Sequence, residues 1–87
     1  MLVQGSKVII RTVTHYYVGE VVESGSEGYV GLVKCSWVAD TGRWHIALRD
    51  GTLSEVEPYP AGDVVLVNLG AVVDIAPWAH ELPTKAK

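Results

Sequence analysis

The sequence predicts a small, strongly bent all-β barrel, and three observations carry that prediction. Valine dominates the apolar residues, phenylalanine is absent and nine glycines punctuate the 87-residue chain, a profile that favours short strands and tight turns. Apolar residues recur with a period of two over several short stretches, each bounded by Gly, Pro, Asp or Ser. No stretch supports a helix of three turns, and neither an internal repeat nor a low-complexity tract breaks the pattern.

The strands follow in order. Lys7 to Val13 (KVIIRTV) reads as a half-buried first strand, with Val8, Ile10 and Thr12 on one side and Lys7, Ile9 and Arg11 on the other. A Thr-His-Tyr-Tyr corner leads to Tyr17–Glu23, whose Gly19 permits a sharp bend or a close backbone approach. Ser24 to Gly28 is a loop. Tyr29 to Ala39 gives a third strand with Tyr29, Val33, Cys35 and Trp37 on one face and Leu32, Lys34, Ser36 and Val38 on the other. After the Asp40-Thr41-Gly42 turn, RWHIALR (Arg43 to Arg49) alternates most cleanly, with Trp44, Ile46 and Leu48 inward and Arg43, His45 and Arg49 outward.

That alternation predicts a long hairpin, closed by a second turn at Asp50-Gly51 and an extended return, Thr52 to Pro60, in which Pro58 and Pro60 discourage regular pairing. Two last strands, Asp63 to Leu69 and Ala71 to Ile75, pivot at Gly70 and stop at Pro77. Residues 1–78 thus form one domain of five core strands, with an extended hairpin over 40–62 between the third and fourth. Residues 79–87 form a tail expected to hold a turn of helix and then fray.

Length and charge narrow the function. A chain of 87 residues lies near the lower limit for a self-sufficient core, so association is a natural source of stability. A single cysteine excludes an intrachain disulfide and suits a reducing, cytoplasmic compartment. No run reaches membrane-spanning length, and MLVQGSK lacks the apolar region of a signal peptide, so a soluble protein is expected. A net charge of −3 argues against nucleic-acid affinity from bulk positive charge, while leaving room for a local basic patch.

The stretch GDVVLVNLGAVVDIAPW, residues 62–78, carries apolar residues on both faces of each half, without Lys or Pro in the middle of either strand. At an open edge such strands template association. Pairing between subunits, through Val65, Val67, Val72, Val73 and Ile75, removes the edges by closing a ring.

The sequence also resembles the Sm-like (LSm/Hfq-type) family. Gly5-x-Lys7-Val8-Ile9-Ile10 through Tyr17-Val18-Gly19-Glu20-Val21-Val22 is similar to the first Sm motif, and Val65-Leu66-Val67-Asn68-Leu69-Gly70-Ala71-Val72-Val73-Asp74-Ile75 to the second. Together they span about the first quarter and the last third of the chain. The resemblance is to a divergent form, of the phage or marine-virus type. It implies a five-stranded SH3-like barrel assembled into a homo-oligomeric ring of five to seven subunits, in the host cytoplasm if viral, with single-stranded RNA held at the pore. The departures bear on the RNA site. Only six residues precede the first strand where the family has a helix, Ser24-Gly25-Ser26-Glu27-Gly28 replaces the usual acidic-and-Asn loop, and Leu69 stands where an Arg precedes the pivot glycine.

For RNA, the candidates are Tyr16 beside Arg11, with His15 and Tyr17 at the same corner, and Asn68 with Gly70. Stacking contributes roughly 1–3 kcal/mol per base, and Asn hydrogen-bonds base edges. Ser24, Ser26, Glu27 and Tyr29 are the expected neighbours of Asn68. The plainer readings are a core Tyr17 with covering aromatics and a turn-supporting Asn68. Trp37 and Trp44 are expected to oppose each other across the hairpin, a pair contributing up to about 1 kcal/mol.

Cys35, His15, His45 and His80 have no metal-ligand spacing, Glu20, Glu23, Glu27, Glu55 and Glu57 are scattered, and there is no glycine-rich phosphate motif. No metal, cofactor or enzymatic activity is expected. The leading reading is an Sm-like ring that binds RNA or scaffolds it. The alternatives are a structural or adaptor ring, as in phage assembly, contacting another protein through the 40–60 hairpin, and a monomeric SH3- or Tudor-like peptide binder with the tryptophans lining its groove.

Overall fold

The computed structural model describes residues 2–23 and 27–87. Six antiparallel strands form one sheet: β1 (Lys7–Thr12), β2 (Tyr16–Glu23), β3 (Tyr29–Asp40), β4 (Glu55–Pro58), β5 (Val65–Asn68) and β6 (Val72–Pro77). One helix, α1 (Trp44–Asp50), lies between β3 and β4, and a 3-10 turn (Leu69–Ala71) joins β5 to β6. The order is β4-β3-β2-β1-β6, with β5 pairing the first half of β3 on the edge whose second half β4 occupies. Side chains from β1, β2, β3, β5 and β6 converge on one core, so these five strands wrap a small barrel and β4 falls in the extension. No helix among the described residues is long and apolar enough to cross a membrane.

The sheet buries both faces. Val8, Ile10, Val21, Val30, Leu32, Cys35 and Val67 fill the barrel interior. Ile9, Val18 and Val38 point the other way and are covered by Ala47 of α1, by Leu53 and Val56, and by Trp78. The first strand is therefore buried on two sides rather than one: Ile9 and Ile10 are both wholly inaccessible.

Covering that second face explains the largest departure from the sequence pattern. The stretch RWHIALR is not a strand but helix α1, and it packs on the sheet instead of standing off as a hairpin arm. Its residues suit both periods. Trp44, Ile46 and Leu48 alternate, yet Trp44, Ala47 and Leu48 fall at i, i+3 and i+4, and it is Ala47 that is buried. Gly51, expected in a hairpin turn, adopts φ 77° and caps the helix, its N–H bonded to the Ala47 carbonyl at 2.8 Å. Seven residues do not form a stable helix alone; the apolar sheet beneath decides between the two periods.

The tail does not fray. The Trp78 N–H donates to the Lys7 carbonyl at 2.9 Å, Lys7 Nζ donates to the His80 carbonyl at 2.6 Å, and Leu82 packs on the second core. Residues 79–87 contain no helical turn.

The facing of β3 also departs from simple alternation. Lys34 has φ 51°, and opposite it the register slips, with Val18 facing Ser36 while Glu20 faces Val33. The extra residue reverses the parity, so Leu32 and Cys35, expected on opposite faces, share the barrel interior. Gly19 lies against this bulge, where a Cβ would stand 3.1 Å from the Val33 oxygen and 3.2 Å from the Cys35 Cα. Lys34→Gly is expected to stabilise the fold by about 1 kcal/mol, because it releases a left-handed conformation and loses only an exposed 3.8 Å pairing with Glu20. Gly19→Ala should destabilise it by about 1–3 kcal/mol through overpacking. Urea unfolding monitored by tryptophan fluorescence reads both.

Candidate functional site

Tyr16 and Arg11 are directly opposed on β2 and β1, as a shared corner requires. Residues from distant parts of the chain change what they can do. Arg11 donates to Asp74 of β6 from Nε at 3.1 Å and from a terminal nitrogen at 2.6 Å, and its guanidinium carbon lies 5.6 Å from the centre of the Trp44 ring. The Asp74 hydrogen bond holds the Arg11 proton more firmly than usual. Tyr16 stacks on Trp44 at 5.3 Å and 21°. One ring face and one positive charge offered by the corner are thus matched within the chain.

Trp37 and Trp44 do not pair. Because α1 replaces the expected strand, Trp44 reaches Tyr16 on the outer face, whereas Trp37 lies opposite Tyr17 on the inner one. There His15 packs edge-on against Tyr17 at 4.8 Å and tilted against Trp37 at 5.4 Å.

Asn68 has a clear local role. Its Oδ1 accepts the Gly70 N–H at 2.8 Å, closing the 3-10 turn between β5 and β6. Asn68 stands directly opposite Tyr29, and the Leu69 N–H donates to the Gly28 carbonyl at 2.8 Å, which ties the turn to the start of β3. Tyr29, Asn68 and Gly70 therefore converge at one end of the barrel, with Tyr29 half-exposed at 46%. Ser24 and Ser26, expected beside them, lie outside the described residues.

The last two strands present edges. Among the described residues β5 pairs only β3 and β6 pairs only β1. Of the residues expected at the subunit interface, Val67 is buried in the barrel and Val65, Val72 and Ile75 pack partly against it. Val73 faces out at 55% exposure, as do Val64 at 49% and Leu66 at 58%, which sequence reasoning did not single out. Parity held that signal: if Val65 and Val67 face the core, Val64 and Leu66 face away from it. Leu66 on β5 and Val73 on β6 thus lie on either side of the 3-10 turn, with Val64 just ahead of β5 and Asp74 next to Val73.

Cys35 is buried at 2% exposure, and burial pushes its thiol up to about 12 from 9.0. His15 sits in the aromatic cluster, His80 bonds the Leu48 carbonyl at 2.9 Å and His45 is exposed on α1, so the four residues are not gathered at one point. The Cys35 thiol should react with a disulfide reagent at pH 8 no faster than the chain unfolds, and at once in denaturant, because the thiolate is the attacking form. Its raised folded value contributes stability that is complete below pH 9 and is lost as pH rises towards 12. Timed absorbance after adding the reagent, with and without urea, tests the burial. Compared with known proteins, the chain matches no family model and no curated protein.

Proposed function

We propose that this chain is a ring-forming assembly module whose copies join head to tail, the edge of β5 pairing with the edge of β6 in the next copy. The homo-oligomer serves as a structural or adaptor ring. One observation carries the reading: two strand edges without partners among the described residues lie on either side of a single 3-10 turn and expose Leu66 and Val73, with Val64 exposed just ahead of β5. Unprotected apolar edges are hazards in a monomer and assets in an assembly. The resemblance to Sm-like proteins supports the same arrangement and a count of five to seven. The aromatic corner favours structure over RNA, since Arg11 is matched by Asp74 and Tyr16 is covered by Trp44.

A second reading, single-stranded RNA at the ring's inner end, is favoured by the pairing of half-exposed Tyr29 with Asn68. An aromatic face and an amide once per subunit suit a repeated base site, and repetition multiplies weak contacts.

In sedimentation velocity at micromolar concentration the wild-type chain should run as one species of several subunits. Leu66→Glu and Val73→Glu should run as monomers with unchanged far-UV circular dichroism, because both side chains already face out. A monomeric wild type would overturn the ring. Anisotropy of labelled oligo-U and oligo-A at two salt concentrations separates the readings. RNA binding should weaken several-fold in Tyr29→Ala and Asn68→Ala, with a shallow salt dependence for so acidic a chain, whereas no binding by the intact ring at low salt leaves the structural role alone.

A further inference from the structure

The two faces of the sheet carry the same pair of groups, and only one face completes it. On the outer face a tryptophan ring and a carboxylate share an arginine: the Arg11 guanidinium lies 5.6 Å from the centre of the Trp44 ring and bonds both oxygens of Asp74, at 3.1 and 2.6 Å. On the inner face Trp37 of β3 stands directly opposite Glu57 of β4, and Tyr17 of β2 stands opposite Trp37 on its other side. Side chains paired in this way have Cβ atoms roughly 4.5–5.5 Å apart, so ring and carboxylate lie side by side. No arginine or lysine joins them. The ion pairs among the described residues are Arg11–Asp74, Lys34–Glu20 and Arg49–Asp50.

Both groups are accessible. Glu57 is exposed, and Trp37 is half-buried, belongs to neither hydrophobic core and has His15 as its ring neighbour, tilted at 38° and 5.4 Å away. Two residues along β4, exposed Glu55 stands opposite Asp40. Residues two apart on a strand share a face, so Glu55 adds its charge to that of Glu57. Such a surface repels phosphate and attracts a cation. A planar guanidinium suits both members of the pair at once: it stacks on an indole and offers parallel N–H groups to the carboxylate alongside, which a lysine ammonium does not.

We propose that Trp37 and Glu57 form a seat for an arginine side chain of a partner protein, with Tyr17 and Glu55 flanking it. The partner supplies in trans what Arg11 supplies in cis on the opposite face. The seat uses neither the edge of β5 nor that of β6, so it serves a monomer or a ring alike and stands independently of the assembly proposed above.

The test is an NMR titration of the ¹⁵N-labelled full-length chain with the peptide acetyl-Gly-Gly-Arg-Gly-Gly-amide, read at the tryptophan indole N–H signals. Loss of one signal in Trp37→Phe identifies that of Trp37. The Trp37 signal should move saturably, while that of Trp44, whose ring already carries Arg11, stays in place. The same peptide with citrulline keeps the plane without the charge, and with lysine keeps the charge without the plane; each should bind several-fold more weakly. Glu57→Gln, a change at an exposed position, should lower affinity for the arginine peptide to that of the citrulline peptide for the unaltered chain. No shift at Trp37, a lysine or citrulline peptide binding as tightly as the arginine one, or unchanged affinity in Glu57→Gln would overturn the proposal. So would a Trp37 shift produced by oligo-U and not by the arginine peptide, which would make the ring a platform for bases. The comparison of the three peptides uses the unaltered chain and is decisive without any variant.

Discussion

Two-sided burial of the central strands is the constraint on which the rest of this structure depends. Ile9 and Ile10 are adjacent in sequence, point to opposite faces of β1 and are both wholly inaccessible. Each side chain of this size contributes roughly 1.5–3 kcal/mol on burial, so leaving one face open would forfeit several such terms and expose Ile9, Val18 and Val38 as a patch. Bending the sheet into a barrel buries the first face. The second needs separate cover, which a chain of this length supplies with a two-turn helix, the strand after it and the tail.

The same constraint explains what was legible in the sequence and what was not. Strand positions were legible because β1, β2, β3, β5 and β6 combine alternation with bracketing turn residues, and the five-stranded barrel followed from them. The identity of RWHIALR was not, because Trp44, Ala47 and Leu48 fit a helix as well as Trp44, Ile46 and Leu48 fit a strand. Only a sheet with an uncovered second face chooses between them. The reversal of parity at Lys34 left no local signature, since lysine is not a residue from which a left-handed bulge is read. The tail offers only Trp78 and Leu82 as apolar anchors.

The site shows the same division. Arg11, Tyr16, Asn68 and Gly70 were legible as residue types at a corner and a turn, and they do occupy a corner and a turn. Their chemistry was not, because it depends on partners far along the chain. Asp74 lies 63 residues from Arg11, and Trp44 reaches Tyr16 only because α1 is a helix. An exposed Arg–carboxylate pair of this kind adds little to stability, but it changes what the corner offers a ligand. At Asn68 the local reading was sufficient, since the bond to the Gly70 N–H closes over two residues.

The three strand edges are treated differently, and the proposed assembly takes its direction from that difference. Along β4 the chain places Glu55, Glu57 and Pro58 and lays its own tail against Val56, each a known device for blunting an edge. Along β5 it places Leu66, with Val64 just ahead of the strand, and along β6 Val73 beside Asp74 and Pro77, with no strand paired to either outer edge among the described residues. Because β5 and β6 are different strands, pairing one with the other is heterologous, and such contacts build a ring when the rotation between copies closes. In the proposed ring that rotation follows from the angle between the two edges, which meet at the 3-10 turn where Asn68 bonds Gly70 and Leu69 bonds Gly28. On this reading Asn68 acts on assembly as well as on any ligand, by fixing the geometry through which one copy meets the next.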